Sequence, residues 1–190
     1  MEIILASASP RRRDLLEKYH IPFRVFVPDA EELNHGVDFR AVALSNAERK
    51  AAAASERFPG DLVIGADTVI ELDHAILGKP SGREDAEQML LRMSGRPHNV
   101  VTGVAMICRA REIRICFADV SRVFFKRIDI DAVRRYMCLV DVMDKAGAYA
   151  AQEHAPLLID RIEGSVNNVI GLPVERISET LRLNGLLPES

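Results

Sequence analysis

The stretch HNVVTGVAMICRAREIRICFADVSRVFFKRI, residues 98–128, decides the fold. Two long runs rich in β-branched and apolar residues, 98–109 and 112–128, flank a short polar turn. That pattern predicts an antiparallel hairpin with one wet face. Working outward, further strand signals are EIILA (2–6), PFRVFV (22–27), DLVIGADTVIEL (61–72) and HAILG (74–78), and the segments PLLIDRIEG and VNNVIGLP supply a late pair. Helices are expected at 10–20, 38–57, 83–94, 131–139 and 173–184. Ser9 and Pro10 form a cap and first turn for the first of these. Ser81 with Glu84 reads as a capping box for the third, and Gly95 as its C-terminal stop. In the last, Pro173 opens the helix, Val174, Ile177 and Leu181 make its apolar stripe, and Asn184-Gly185 ends it. Helices alternate with strands, but hairpins are present too. The fold class is therefore α/β with a mixed sheet, not an all-parallel one.

At 190 residues and 48% hydrophobic, the chain has material for one domain spanning residues 1–190, or for two lobes around a cleft. A net charge of −3 gives no general attraction to nucleic acid or an anionic membrane. Aromatic residues are 5% with no Trp, which is poor material for stacking bases. Cys108, Cys116 and Cys138 are an odd number without C-x-x-C spacing, the usage of reduced thiols in the cytosol. The opening apolar run is too short for a secretory signal, and no run approaches a membrane span of about 18 residues. A cytoplasmic protein is expected. The five histidines are isolated, and neither a P-loop, a G-x-G-x-x-G turn, a G-x-S-x-G elbow nor an H-E-x-x-H pair is present.

SPRRR, residues 9–13, poses an electrostatic question. A helix N-terminus carries about half a positive charge, so arginines there are disfavoured by a few tenths of a kcal/mol each. They make sense if an anion sits among free backbone N–H groups and guanidinium forks, with Ser7 and Ser9 beside them. Otherwise all three face solvent, as exposed charges do at little cost; Arg13 fits that description best. Asp67 lies inside the apolar run LVIGADTVI, with Gly65 leaving room beside the backbone. A carboxylate in such surroundings is paired, metal-bound or shifted in pKa, unless it simply bonds a turn. Thr68 beside it says nothing alone. Glu31 and Glu32 in DAEEL form a solvated edge, or one of them joins Asp67 to hold a hard divalent cation. Lys79, between Gly78 and Pro80, sits where a rigid turn presents a side chain, whereas Lys50 by itself reads as a helix-surface lysine. DKAGAYAAQ, residues 144–152, suggests backbone packed near a flat ligand, with the Gln152 amide to read its edge, or else a tight core turn.

Taken in order, LASASPRRRDLL, DAEE, ERKA, GADTVI, GKP, VVTGVA, DKAGAYAAQ and GSVNNVIGLP resemble the Maf family of nucleoside-triphosphate pyrophosphatases, from residue 5 to residue 173. The resemblance implies an inosine-triphosphatase-like fold, an elongated mixed sheet flanked by helices with two lobes around a central cleft. It implies hydrolysis of a nucleoside triphosphate to the monophosphate and pyrophosphate with Mg²⁺ or Mn²⁺. It places phosphate binding on Ser9, Arg11, Arg12, Lys50 and Lys79, the metal-associated acid on Glu32 and the general base on Asp67, with the metal shared between Glu32 and Asp67. Substrate choice falls on Arg11, Thr68 and Gln152. The branch carrying Gly-Ala-Tyr-x-x-Gln resembles enzymes acting on dTTP and UTP, and Gln152 can donate and accept together, matching the edge of thymine or uracil. A homodimer is also implied. The alternatives are a nucleotide-binding regulator of septum formation, or the same chemistry on another base such as 7-methyl-GTP. Two departures stand out: Ala150 where a glycine is common, and Val166 where an aromatic is frequent.

Overall fold

The structure, a computed structural model, describes residues 1–33 and 38–187. Its seven strands are β1 (Ile3–Ala6), β2 (Arg24–Val25), β3 (Leu62–Leu72), β4 (Ala75–Leu77), β5 (Pro97–Cys108), β6 (Ile113–Phe125) and β7 (Ile159–Glu163). They form one sheet in the order β2-β1-β3-β5-β6-β7, with β4 paired to β3. Strands β2, β1 and β3 run parallel, and the remaining pairs are antiparallel. The sheet is therefore mixed, as the alternation of hairpins and helices predicts. The deciding hairpin, β5–β6, pairs from Pro97 opposite Phe124 to Cys108 opposite Ile113, and Glu112 turns the corner in the left-handed region at φ 53°.

Among the described residues six α-helices flank the sheet: α1 (Pro10–Lys18), α2 (Phe39–Arg57), α3 (Arg83–Met93), α4 (Ile130–Leu139), α5 (Val166–Ile170) and α6 (Val174–Leu183). One face is covered by α2, whose Asp38 cap accepts from the N–H groups of Arg40 and Ala41. Its small residues Ala47, Ala51 and Ala54 bury against Ile4, Val63 and Ala105. The opposite face carries two larger apolar clusters. At one end Ile64, Ala66, Val104 and Met106 pack with residues of α1 and α6; at the other Ile70, Leu72 and Val100 pack with residues of α3 and α4. Each fully buried aliphatic side chain contributes about 1.5–3 kcal/mol. Between the clusters, on the same face by the two-residue period of a strand, stand Thr68 and its cross-strand neighbour Thr102. Two lobes thus meet at a polar seam.

Four local expectations change. The β5 strand is buried on both faces, not one, because α2 lies directly across it. PFRVFV narrows to the two exposed residues of β2, an edge strand lying between Pro22 and Pro28. VNNVIGLP is not a strand: Ser165 caps α5 by accepting from the Asn168 N–H, and Gly171 ends it at φ 127°. Helix α3 is capped by Gly82 without a side-chain bond, because Ser81 bonds the Asp85 carboxylate instead of forming a box with Glu84.

Gly65 and Gly103 set the distance between α2 and the sheet. A Cβ on Gly65 would lie 2.3 Å from the Ala47 carbonyl oxygen, and one on Gly103 2.4 Å from that of Ala43. Helix backbone therefore rests on strand backbone. Gly103→Ala is expected to lower stability by about 1–3 kcal/mol, measured by denaturant unfolding, because the helix must move to admit a methyl group.

His98 joins β5 to the segment after α4. Its Nε2 lies 2.7 Å from the Tyr149 hydroxyl, and its ring meets Phe125 and Tyr149 edge-on. Burial pulls its pKa from 6.5 down to about 4. The unfolded chain thus binds the proton more tightly, so this contribution is full above pH 6.5 and is lost as pH falls toward 4. The gap is worth about 3 kcal/mol. His98→Phe should flatten the fall in unfolding free energy between pH 6.5 and 4; an unchanged slope would assign that acid limb to other groups.

Candidate active site

Strand β3 is held along one edge by β5. On its other edge β1 pairs only as far as Gly65 and β4 begins at Ile70, so Ala66, Asp67, Thr68 and Val69 face a gap between them. A cleft of about 840 Å³ opens there. Ser9, Arg11, Arg12, Glu32, Lys50, Asp67, Thr68 and Lys79 all lie on its wall. The sequence scatters these residues over the first 79 positions, and the parallel β1–β3 pairing gathers them. Gln152 does not join them: it is exposed and follows Ala151, which does line the cleft. Glu31 and Arg13 are exposed and off the wall.

Asp67 is 8% exposed and fully partnered. Its Oδ1 accepts from Lys50 Nζ at 2.7 Å and its Oδ2 from Asn46 Nδ2 at 2.9 Å. Lys50 Nζ also meets Glu32 Oε1 at 2.7 Å, so one ammonium bridges two carboxylates that would otherwise repel. Burial alone would lift the Glu32 carboxyl. The Lys50 hydrogen bond and charge, with Lys79 and Arg12 behind them, outweigh burial and hold it below its ordinary value. The Glu32 carboxylate is therefore ionised at neutral pH in this arrangement. Among the described residues no group of three or more metal-ligating side chains gathers. Two carboxylates suffice for Mg²⁺ where substrate phosphates and water complete the shell, and Glu32 and Asp67 fit that donor set.

Arg12 occupies the seam between the lobes. Its Nε donates to the Gly171 carbonyl at 2.8 Å, Nη1 to Ser7 Oγ at 3.1 Å and Nη2 to Thr68 Oγ1 at 3.2 Å. Thr68 Oγ1 lies 3.0 Å from Thr102 Oγ1, which donates to the Asn168 carbonyl at 3.0 Å. All three partners of Arg12 are neutral. Burial lowers its pKa while the charge of Asp67 pulls the other way, and an arginine stays protonated throughout. Ser9 occupies the cap position of α1 without bonding the helix through its side chain, and no acid stands in the first turn. The N-terminus of α1 is thus open toward the cleft. Across it Arg11 meets Asp144 at 3.5 Å, both side chains partly exposed.

A sequence model of the family described as Maf-like protein matches residues 2–183. The chain belongs to the Maf family. A protein of Akkermansia muciniphila named dTTP/UTP pyrophosphatase is 46% identical over 185 residues, covering 97% of this chain and 96% of that protein. One of the same name from Geobacter metallireducens is 44% identical over 186 residues, 97% of each chain. Among solved structures, the Staphylococcus aureus Ham1 protein aligns with a TM-score of 0.48 and 18% identity, over 66% of this chain and 72% of its own.

Two residues of this Maf chain reach the site unannounced by the sequence reading. Asn46 stands four positions before Lys50, one helical turn away on the same face, which is the signal that could have found it. Lys145 lines the cleft, is 6% exposed, and donates to Asp144 Oδ1 at 2.8 Å and to the Asp141 carbonyl. Ala150, the departure from glycine, puts its methyl group on the wall while its N–H donates to the Tyr136 hydroxyl at 2.9 Å. Lys50→Met keeps the burial of Glu32 and removes its cation, so the Glu32 carboxyl should titrate at higher pH than in the parent. Carboxyl-carbon NMR reads this directly, and an unmoved titration would deny Lys50 its bridging role.

Proposed function

We propose that this chain hydrolyses dTTP and UTP to the nucleoside monophosphate and pyrophosphate. The observation that carries the reading is the buried Arg12. It is a desolvated cation whose hydrogen-bond partners among the described residues are all neutral, on the wall of a cleft that also holds Asp67, fixed through both carboxylate oxygens. A buried charge without a counter-charge in contact is costly, and a triphosphate is the anion that offsets it. The names of the Akkermansia and Geobacter relatives support dTTP and UTP as the substrates.

In this reading Asp67 takes a proton from water as its oxygen attacks the α-phosphorus, and the bond from that phosphorus to the bridging oxygen of pyrophosphate breaks. Lys50 holds the Asp67 carboxylate oriented. Ser9, Arg11, Arg12 and Lys79 bind the phosphates, and Lys79 and the arginines meet the charge that grows on the leaving pyrophosphate. A Mg²⁺ or Mn²⁺ ion held by Glu32 and Asp67 would neutralise phosphate charge and polarise the water. Thr68 and Arg11, on the wall, and Gln152, beyond its rim at Ala151, are assigned substrate choice. The three cysteines are free, which supports a cytoplasmic setting, and no helix among the described residues is long and apolar enough to cross a membrane. The homodimer belongs to the same proposal and rests on the family resemblance.

The test is pyrophosphate release from dTTP, UTP, CTP, ITP, GTP and 7-methyl-GTP with Mg²⁺ or Mn²⁺, run beside Asp67→Asn. The expected result is turnover of dTTP and UTP, with kcat lower by about 10²–10⁴ in the variant, whose volume and fold are kept. Turnover of another base would keep the chemistry and count against base reading by Gln152 and the 146–152 segment. Nucleotide binding with no turnover at all would favour the regulator of septum formation.

A further inference from the structure

We infer that Asn46 is a positioning residue that holds both the Asp67 carboxylate and the Glu32-bearing segment in register with Lys50. The inference rests on the hydrolase reading of the cleft and adds to it a residue with no assigned role. Asn46 sits in the interior of α2 and is 2% exposed. Asparagine is an unfavourable choice there: it weakens a helix interior, and a buried amide costs about 1–3 kcal/mol if left unpaired. Here nothing is left unpaired. Nδ2 donates to Asp67 Oδ2 at 2.9 Å and to the Leu33 carbonyl at 2.9 Å, while Oδ1 accepts from the Leu33 N–H at 2.7 Å. Two acceptors on one side and a donor on the other fix which way the amide faces.

Each bond has a separate consequence. A carboxylate rotates broadly about its last torsion, so one partner alone would not fix it. Lys50 takes Oδ1 and Asn46 takes Oδ2, both from successive turns of one helix, and that rotation is stopped. The paired bonds to Leu33 engage both backbone groups of a single residue, as a neighbouring strand would. Leu33 follows Glu32, so this clamp fixes the backbone from which Glu32 reaches Lys50 at 2.7 Å. One neutral amide therefore links helix, strand and loop. Its neutrality matters, because a carboxylate at position 46 would stand in contact with Asp67.

The experiment compares the full-length parent with Asn46→Leu and Asn46→Asp. Asn46→Leu removes all three bonds at similar volume. Asn46→Asp keeps an acceptor for the Leu33 N–H but removes both donations. Steady-state pyrophosphate release from dTTP and amide hydrogen exchange at Leu33 are both read, with thermal melting to confirm folding. Both variants should lose about ten- to a hundredfold in kcat with KM changed by less than about threefold, since misplacement of the reacting groups by about 1 Å costs on that order. Leu33 exchange should accelerate in Asn46→Leu and stay near the parent rate in Asn46→Asp. Parent-like kcat in folded variants, or a rise in KM alone, overturns the inference and leaves Asn46 a packing residue. If Asn46→Leu does not fold, the kcat and KM of Asn46→Asp decide. If the parent turns over no nucleotide, the hydrolase reading falls by itself. The exchange arm then decides: faster Leu33 exchange confined to Asn46→Leu retains the positioning role, and an unchanged rate removes it.

Discussion

How close α2 comes to the sheet governs everything in the cleft. Gly65 and Gly103 let helix backbone approach to where no side chain fits, and Ala43, Ala47, Ala51 and Ala54 keep the helix face equally thin. Asp67 lies two residues from Gly65 on the same face and directly opposite Gly103, so it emerges beside the helix at the point of closest approach. Only there can the short Asn46 side chain reach its carboxylate at 2.9 Å while Lys50, one turn on, reaches the other oxygen at 2.7 Å. A helix held farther off by a larger residue would leave the amide out of range and the ammonium spanning a gap. Packing at two glycines thus becomes the geometry of an acid.

The second constraint is the premature end of β1. Because the chain leaves the sheet at Ala6 to begin α1, four residues of β3 have no partner on that edge. Unpaired backbone in an interior would be costly, so the gap must remain accessible to solvent or ligand. The same departure delivers the N-terminus of α1 and its arginines to the opening. Sequence adjacency of strand end and helix start is therefore what brings two cations, Arg11 and Arg12, to the cleft that holds Asp67. The repulsion between the arginines and the helix dipole is local, and the buried position of Arg12 shows that it does not simply face solvent.

Much of the architecture was legible because it rests on long, strongly patterned runs. The β5–β6 hairpin has continuous β-branched residues, and α6 has a regular apolar stripe. The short elements were not. VNNVIGLP reads as a strand from its valines and isoleucine, yet Ser165 supplies a helix cap and Asn168 turns its amide inward to the Val100 carbonyl and Ser121 hydroxyl. In the site, Asp67 announced itself as a charge within an apolar strand, and Gly65 as space beside it. Lys50 and Asn46 did not, because their meaning lies in a contact with a residue 17 or 21 positions away. An alanine-rich helix gives its polar residues no contrast between buried and exposed faces. What marked the face was the small side chains, and their thinness is visible only against the glycines of another strand.

The cations of the cleft divide by how firmly they are held, and the division suits the proposed chemistry. Lys50 is fastened between two carboxylates, Arg12 by three neutral acceptors, and Lys145 by Asp144 and a backbone carbonyl. Arg12 and Lys145 are buried and Lys50 is largely so, and moving any of them would strand a partner in low dielectric. Arg11 and Lys79 are different: Arg11 leans on an exposed Asp144 at 3.5 Å, and Lys79 is exposed with no ion pair among the described residues. An exposed pair of that kind is worth about 0–1 kcal/mol, so a phosphate displaces Asp144 from Arg11 at almost no cost. In the proposed reaction the fixed set would hold the geometry around Asp67 while the loose set would follow the phosphate chain as it enters and leaves. A site in which every cation was locked would bind a triphosphate and release pyrophosphate slowly. One in which none was locked would not orient the attacking water.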